Sequence, residues 1–446
     1  MGRLIDLWQR APAALVLVMR SFGWMAASKA LAAVFSLIYL AIITRSLGVS
    51  GFGRFALITG SAQLLANLLA FQTWQIIVQY GVQHLENNDE VRLARLYRAA
   101  VVLDVVSAVT GIAAAATILY FFADQLGMTE NLARATLVFN VIMLFSLRST
   151  PLGIMRLHNR FSLAAAAESA MPTLRLIGAV IAWYVHPKLQ GFLIAWAAAE
   201  LLSAAAHWYA AHHTGDLKLM WQGRNVGKVL TDNPGILRYS LDTNFSQTLS
   251  MTAKQLPLFL VGGLTGAAAA GAFRLAHQLS RSLTILSQMI ARAAFPEIVR
   301  AVRSKGVAGL ADMVARTIRV AFVVSALVFG IVALIGQEAL TLVGGADFAQ
   351  GYRSLLWLAG AACIELVVVT FEPSIVAARR AHFAFYARLA ASAVMVGGAF
   401  LMVPGMGAEG VAAAVLLNSL TQALLLGVML TRLIRQGDAK PVVSEA

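Results

Sequence analysis

Twelve long apolar stretches divide this sequence, and they limit its fold more than any motif does. They lie at about 21–44, 54–80, 97–122, 132–155, 162–185, 190–211, 237–262, 270–295, 317–337, 352–377, 383–403 and 409–431. A helix needs about 20 apolar residues to cross the hydrocarbon core. Lipid leaves backbone polar groups unsatisfied in anything but a helix or a closed barrel. The ten-residue alternation of a barrel strand is missing from the sequence. The expected fold is an all-α polytopic membrane protein of about 12 transmembrane helices. Charged residues make up 13% of the 446 residues, against about 25% in soluble domains. The spans leave short loops and no room for a soluble catalytic domain.

The net charge of +14 raises the question of nucleic acid. The basic residues are spread over loops beside apolar spans, which points to membrane topology instead. With a cytoplasmic N-terminus, the inner segments hold Arg3, Arg10 and Arg20, then Arg92 and Arg95, Arg156 and Arg160, and Lys218, Arg224 and Lys228. They continue with Arg300, Arg303 and Lys305, Arg379 and Arg380, and Arg432, Arg435 and Lys440. The outer loops hold little beyond Arg45, Arg134 and Lys188. This asymmetry places both termini in the cytoplasm and makes the number of spans even. The short run from Ala11 to Met19 looks a little like a signal peptide, but Arg20 follows it and the apolar stretch resumes. It reads as an uncleaved lead-in to the first span.

The sequence also repeats. Gly53, Phe55 and Leu57 recur as Gly271, Phe273 and Leu275 at an offset of 218. Arg98 and Val105-Val106-Ser107-Ala108 recur as Arg316 and Val323-Val324-Ser325-Ala326, again at 218. Pro151 and Phe161 recur as Pro373 and Phe383 at 222, and Gly191 recurs as Gly410 at 219. Two six-helix lobes related as parallel repeats are predicted, with a cavity between them near the midplane. The expected division is a lead-in over 1–20, an N-terminal lobe over 21–212, a cytoplasmic linker over 213–236, a C-terminal lobe over 237–431 and a tail over 432–446.

Ionisable residues inside spans mark functional or paired positions, because facing lipid is costly. Lobe one has Lys29, Arg148 and Arg175 against Asp104, Glu168 and Glu200. Lobe two has Lys254, Arg274 and Arg281 against Asp242, Glu365 and Glu372. Glu168 and Arg175 share a helix face seven residues apart, with Pro172 between, and are expected to pair. Glu200, Ser203 and His207 share another face, as a proton-linked stripe or a packed network. On the eighth span Arg274, His277, Arg281 and Gln288 form one face. Two inward arginines suit a phosphate or pyrophosphate, since guanidinium matches phosphate oxygens in pairs. Pairing with acids of neighbouring spans, such as Asp242, is the alternative. Lys29 and Lys254 occupy equivalent spans and either line the same cavity or snorkel.

Other signals are weaker. Arg45 and Arg54 flank the first outer turn and read mainly as interface anchors. His207, His212 and His213 lack an accompanying acidic cluster, so no metal site is expected, and the lone Cys363 excludes an internal disulfide. Gly262 to Gly266 has helix-packing spacing but reads as a tight outer turn. Arg92, Arg95 and Arg98 form a basic stripe that suits anionic headgroups or serves topology alone. Nucleotide-loop, nucleophile-elbow and metalloprotease motifs do not occur.

Three segments carry a family resemblance. Leu47-Gly48-Val49-Ser50-Gly51-Phe52-Gly53-Arg54-Phe55-Ala56 is similar to the first outer turn of polysaccharide flippases. Gly262 through Ala276, with Phe273-Arg274-Leu275-Ala276, resembles the second-lobe counterpart. Ala294-Phe295-Pro296-Glu297-Ile298, followed by basic residues, resembles the end of span eight. The chain thus resembles the oligosaccharide flippases of the multidrug/oligosaccharidyl-lipid/polysaccharide exporter superfamily. The resemblance implies a bacterial inner-membrane transporter, not an enzyme. It implies movement of undecaprenyl-pyrophosphate-linked oligosaccharide units for O-antigen, capsule or exopolysaccharide assembly. It implies alternating access and a partly cationic cavity, placed here at Arg274, Arg281, Lys254 and Lys29. The balanced charge count of each lobe departs from a simple cationic cavity. Coupling to a proton or sodium gradient, without another cofactor, would use Asp104, Glu200, Asp242 or Glu365. The implied partners are the lipid-linked oligosaccharide, membrane lipids and the polymerase and chain-length machinery, with no nucleic acid. An ion-coupled drug or metabolite exporter of the same superfamily is the alternative. An O-antigen ligase is a poorer fit, because the outer connections around Ala123–Asn131 and Gly336–Gly351 are short.

Overall fold

A computed structural model describes residues 13–69, 71–122, 129–215, 217–222, 226–377 and 380–436. The described residues are helical, with turns and no strands. Lobe one contains α1 (Ala13–Leu69), α2 (Thr73–Glu86), α3 (Glu90–Phe122), α4 (Glu130–Phe145), α5 (Ser149–Leu157), α6 (Phe161–Val185) and α7 (Leu189–His212). The short helices α8 (Leu217–Gln222) and α9 (Val229–Asp232) lead to lobe two. Lobe two contains α10 (Ile236–Thr265), α11 (Ala267–Gly344), α12 (Tyr352–Val367), α13 (Phe371–Ala377), α14 (Ala381–Met406) and α15 (Ala408–Gln436). α1 holds span one and the first part of span two, which α2 completes. α11 holds spans eight and nine, and doubles back, because Gly344 packs against Leu275.

Each lobe begins with the same outer turn. Gly48 turns α1 at φ 65° and ψ 178°, and Gly266 joins α10 to α11 at φ 90° and ψ 175°. This region of backbone space is open essentially to glycine alone. The two residues are separated by 218 positions, the offset of the repeat. Gly53 and Gly271, five residues further on, meet across the lobe interface. A Cβ on Gly53 would lie 1.7 Å from the Ala267 carbonyl oxygen, and one on Gly271 2.1 Å from that of Val49. Backbone meets backbone here, so the outer ends of the lobes are held together.

The largest core lies at this outer closure and draws on both lobes. Ile43, Phe52 and Phe55 pack with Phe273, Leu340 and Phe348. Phe52 and Phe348 rings are 5.9 Å apart. Thr44 donates to the Val343 carbonyl at 3.0 Å, and Arg45 to that of Leu342 at 2.6 Å. Toward the inner side, separate clusters stabilise each lobe, such as Ile77, Tyr97 and Ile154 in one and Ile375, Leu426 and Leu433 in the other. The lobes therefore share their largest core outside, and on the inner side a smaller cluster of Ile76 and Leu96 with Val229 and Ile236 joins α2 and α3 to the start of α10.

The structure corrects several expectations about continuous spans. Span two is interrupted between Leu69 and Thr73, span four between Phe145 and Ser149, and span ten between Val367 and Phe371. Pro151 and Pro373 each stand third in the helix that resumes after the break. Proline is tolerated in a first turn because its missing N–H has no intrahelical partner there. The ninth span runs to Gly344, beyond the expected 337.

Candidate functional site

A cavity of about 580 Å³ lies between the lobes, on the inner side of the outer closure. α1 contributes Tyr39, Phe55 and the polar Thr59, Gln63 and Asn67. Lobe two contributes Lys254 and Gln255 from α10, Arg274, His277 and Arg281 from α11, and Glu365 from α12. Arg175 and Trp196 enter from α6 and α7.

The α11 wall follows from helical spacing. Arg274, His277 and Arg281 lie at i, i+3 and i+7, so one stripe of side chains faces the cavity. His277 stacks on Phe273, with centroids 6.1 Å apart and planes 8° apart. Arg274 is half-buried and makes no ion pair or hydrogen bond among the described residues. Its electrostatic neighbours are Arg281, Tyr39 and Arg175. Lys254 likewise makes no ion pair or hydrogen bond among the described residues, and Arg281 and Glu365 are among its electrostatic neighbours. Glu365 is the one acid among the described lining residues, against Arg175, Lys254, Arg274 and Arg281.

The lobe-one wall is aromatic. Trp196 meets Tyr39 and Phe55 edge to face, each with centroids 5.2 Å apart. The Arg175 guanidinium lies 4.1 Å from the Trp196 ring centroid. Behind it, Arg175 donates to Glu200 at 2.6 Å, and Arg148 approaches the other Glu200 oxygen at 2.8 Å. That second contact is an ion pair whose angles fall outside a hydrogen bond. Glu200 is fully buried, so both cations are needed to offset its desolvation.

The expected Glu168–Arg175 pair is not formed. Glu168 pairs with Arg156 at 3.1 Å and Arg175 with Glu200. Seven residues along a helix is about 10.5 Å, and neighbouring helices bring these partners closer. The proposed proton stripe resolves into local packing in part: His207 Nδ1 lies 2.7 Å from the Ser203 carbonyl oxygen.

Of the residues singled out in the sequence for substrate, Arg274, Arg281 and Lys254 come together on the cavity. The side chain of Lys29 lies outside the described residues, as does that of Asp242. Among the ion-coupling candidates, Glu365 lines the cavity, while Asp104 and Glu200 sit within lobe one. Asp104 joins two of the span breaks. Its carboxylate accepts from Thr73 Oγ1 at 2.8 Å, from Thr150 Oγ1 at 2.7 Å and from the Thr150 backbone N–H at 3.2 Å. Thr73 opens α2 and Thr150 lies in the first turn of α5, where an acid complements the helix dipole.

Sequence reasoning did not place Arg175 on the cavity. Arg175 carries no local signal for this position, because its direction depends on Trp196 and Glu200 in the next helix.

Two helical lobes, joined at their outer ends and enclosing a charged cavity, define a two-lobed helical membrane protein. The family follows from sequence. Residues 18–302 match the family described as "Polysaccharide biosynthesis protein", and the chain belongs to it. The Inner membrane protein YghQ of Escherichia coli (strain K12) is 25% identical over 292 residues, spanning 64% of this chain and 80% of that protein. An inward-facing multidrug resistance MATE family transporter of the MOP superfamily superposes with a TM-score of 0.72. It is 13% identical, and the match covers 92% of this chain and 96% of that one. The lipid II flippase MurJ, in an inward closed conformation, superposes at 0.64 with 12% identity, covering 91% and 87% of the two chains. At these identities the structural likeness is one of fold. The chain is a multi-pass membrane protein of that family, with the fold seen in the MATE transporter and in MurJ.

Proposed function

We propose that this protein flips a lipid-linked oligosaccharide, carried on undecaprenyl pyrophosphate, from the inner to the outer leaflet. The observation that carries this reading is Arg274. A charged side chain within a membrane span is costly unless it meets water or an opposite charge. Arg274 has no acid beside it among the described residues, and further cations are its neighbours. A pyrophosphate entering the cavity supplies the missing negative charge, with oxygens that match the guanidinium fork. Arg274, Arg281 and Lys254 hold that group, and Lys29 on the equivalent span is assigned to the same role.

The rest of the lining suits a glycan. Trp196 and Tyr39 offer ring faces and edges to sugar C–H groups, while Gln63, Asn67 and Thr59 offer hydrogen bonds to hydroxyls. The lipid tail stays in the bilayer. The lobes rock about the cavity, and the outer contacts of Gly53 and Gly271 open as the inner side closes. A proton or sodium gradient drives the cycle, and O-antigen, capsule or exopolysaccharide assembly receives the product through polymerase and chain-length proteins.

Deletion in the native cell tests this. Lipid-linked glycans are expected to accumulate on the cytoplasmic face while surface polysaccharide is lost. The wild-type gene restores both, and Arg274→Gln, present at normal folded levels, does not. Normal surface polysaccharide in the deletion strain, together with new sensitivity to cationic dyes, argues for a drug exporter instead.

A further inference from the structure

Glu365 occupies an unfavourable place for a carboxylate. It lies in the last turn of α12 (Tyr352–Val367), where the free carbonyls carry negative partial charge and disfavour acids. The helix ends two residues later, at Val367. One long contact from the Ser419 hydroxyl, 3.4 Å, tethers it from α15. Ordinary O–H···O bonds are about 2.7–2.8 Å, so the tether is weak. The side chain is exposed to the cavity, and Lys254 is one of its electrostatic neighbours. Lys254, also exposed to the cavity, has no ion pair or hydrogen bond among the described residues.

A carrier that moves an anion in one direction must return empty. Its cations then cross the closed state without their ligand, and desolvating them is costly. An acid on the cavity wall offsets that cost. It also competes with the incoming anion for the same cation.

We propose that Glu365 is the internal counter-charge of the empty transporter: from the same cavity wall it offsets the charge of Lys254, without a direct ion pair, until the substrate's phosphate takes over that role. This rests on the anion-binding reading of the cavity and assigns the acid within it a specific role. Glu365 is a positioning residue, acting on substrate through Lys254.

The test is direct binding of inorganic pyrophosphate to the purified full-length protein in lipid nanodiscs, by calorimetry. Four forms are compared: wild type, E365Q, E365D and K254Q, with the double variant E365Q/K254Q added. Thermal unfolding confirms that each is folded. Removing a like charge that shares a partly dry cavity with an anion is worth roughly tenfold in affinity. E365Q is expected to bind pyrophosphate about tenfold more tightly than wild type. E365D, which keeps the charge, stays near wild type. The gain disappears in E365Q/K254Q, because the acid acts through that lysine. Unchanged or weaker binding by E365Q, or a full gain that survives in the double variant, overturns the proposal. Binding by wild type with no gain in E365Q sinks this inference alone. A wild type and E365Q that both fail to bind pyrophosphate remove the anion site as well.

Discussion

Gly53 and Gly271 stand in backbone contact across the lobe interface. A Cβ on either would lie within about 2 Å of a carbonyl oxygen of the facing lobe. Both the turn glycines and this pair keep the repeat's spacing of 218, so the outer closure is built from equivalent residues of the two lobes. Gly53→Val forces the outer ends apart. In a Cys363→Ser background with a cysteine at Gln63 on the cavity wall, labelling by an impermeant maleimide from outside should rise several-fold. Labelling that stays at the level of the glycine parent argues against this closure.

Glu200 lies between two guanidiniums and is fully buried. Glu200→Gln leaves Arg148 and Arg175 without their anion. Breaking a buried pair from one side costs about 3–5 kcal/mol, and these partly exposed arginines place the effect toward the lower end. A large fall in Tm is expected on detergent-solubilised protein. An E200Q variant as stable as wild type would show that neither arginine depends on it.

Asp104 ties the starts of α2 and α5 together through Thr73 and Thr150. Asp104→Asn turns one acceptor into a donor facing other donors, at a cost of about 1–3 kcal/mol. Thr73→Val and Thr150→Val remove one bond each, at about 1 kcal/mol. Chemical unfolding measures these losses. If D104N keeps its stability and transport loses its dependence on an ion gradient, Asp104 acts in coupling rather than in structure.

The linker docks on lobe one. Asp232 of α9 forms an ion pair with Arg95 of α3 at 2.5 Å, and Asn233 Oδ1 lies 2.8 Å from His84 Nε2. Val229 and Ile236 pack beside Ile76 and Leu96. A double-mutant cycle of Arg95→Ala and Asp232→Ala should return a coupling of about 0.5–1.5 kcal/mol in stability. Additive effects would mean that the pair contributes nothing to docking.

The basic stripe of Arg92 and Arg95 was legible in the sequence as a cytoplasmic signal. Its partner in the linker was not, because the two are separated by about 137 residues and meet only when the chain has folded. The same limit explains the cavity. Arg274 and Arg281 share a face through the 3.6-residue period, a local property of any helix. Arg175 was read with Glu168 by that same rule, and the rule fails there, since α7 presents Glu200 and Trp196 at closer range. The helix breaks had a partial signal in Pro151 and Pro373, each bearing on the residue before it. Their positions depend on Asp104 in one lobe, which comes from a different span.

What the sequence determined by itself is the set of properties that accumulate along the chain: apolar length, loop charge and the 218-residue repeat. These fix helices, spans and two equivalent lobes, because lipid accepts a backbone only when its hydrogen bonds close locally. The tertiary structure decided which charges are satisfied. Glu200 is held by Arg148 and Arg175, whereas Arg274 faces the cavity with no acid paired to it among the described residues. Pairing depends on distances of about 3–4 Å between helices, and side-chain direction across helices is set by packing rather than by spacing.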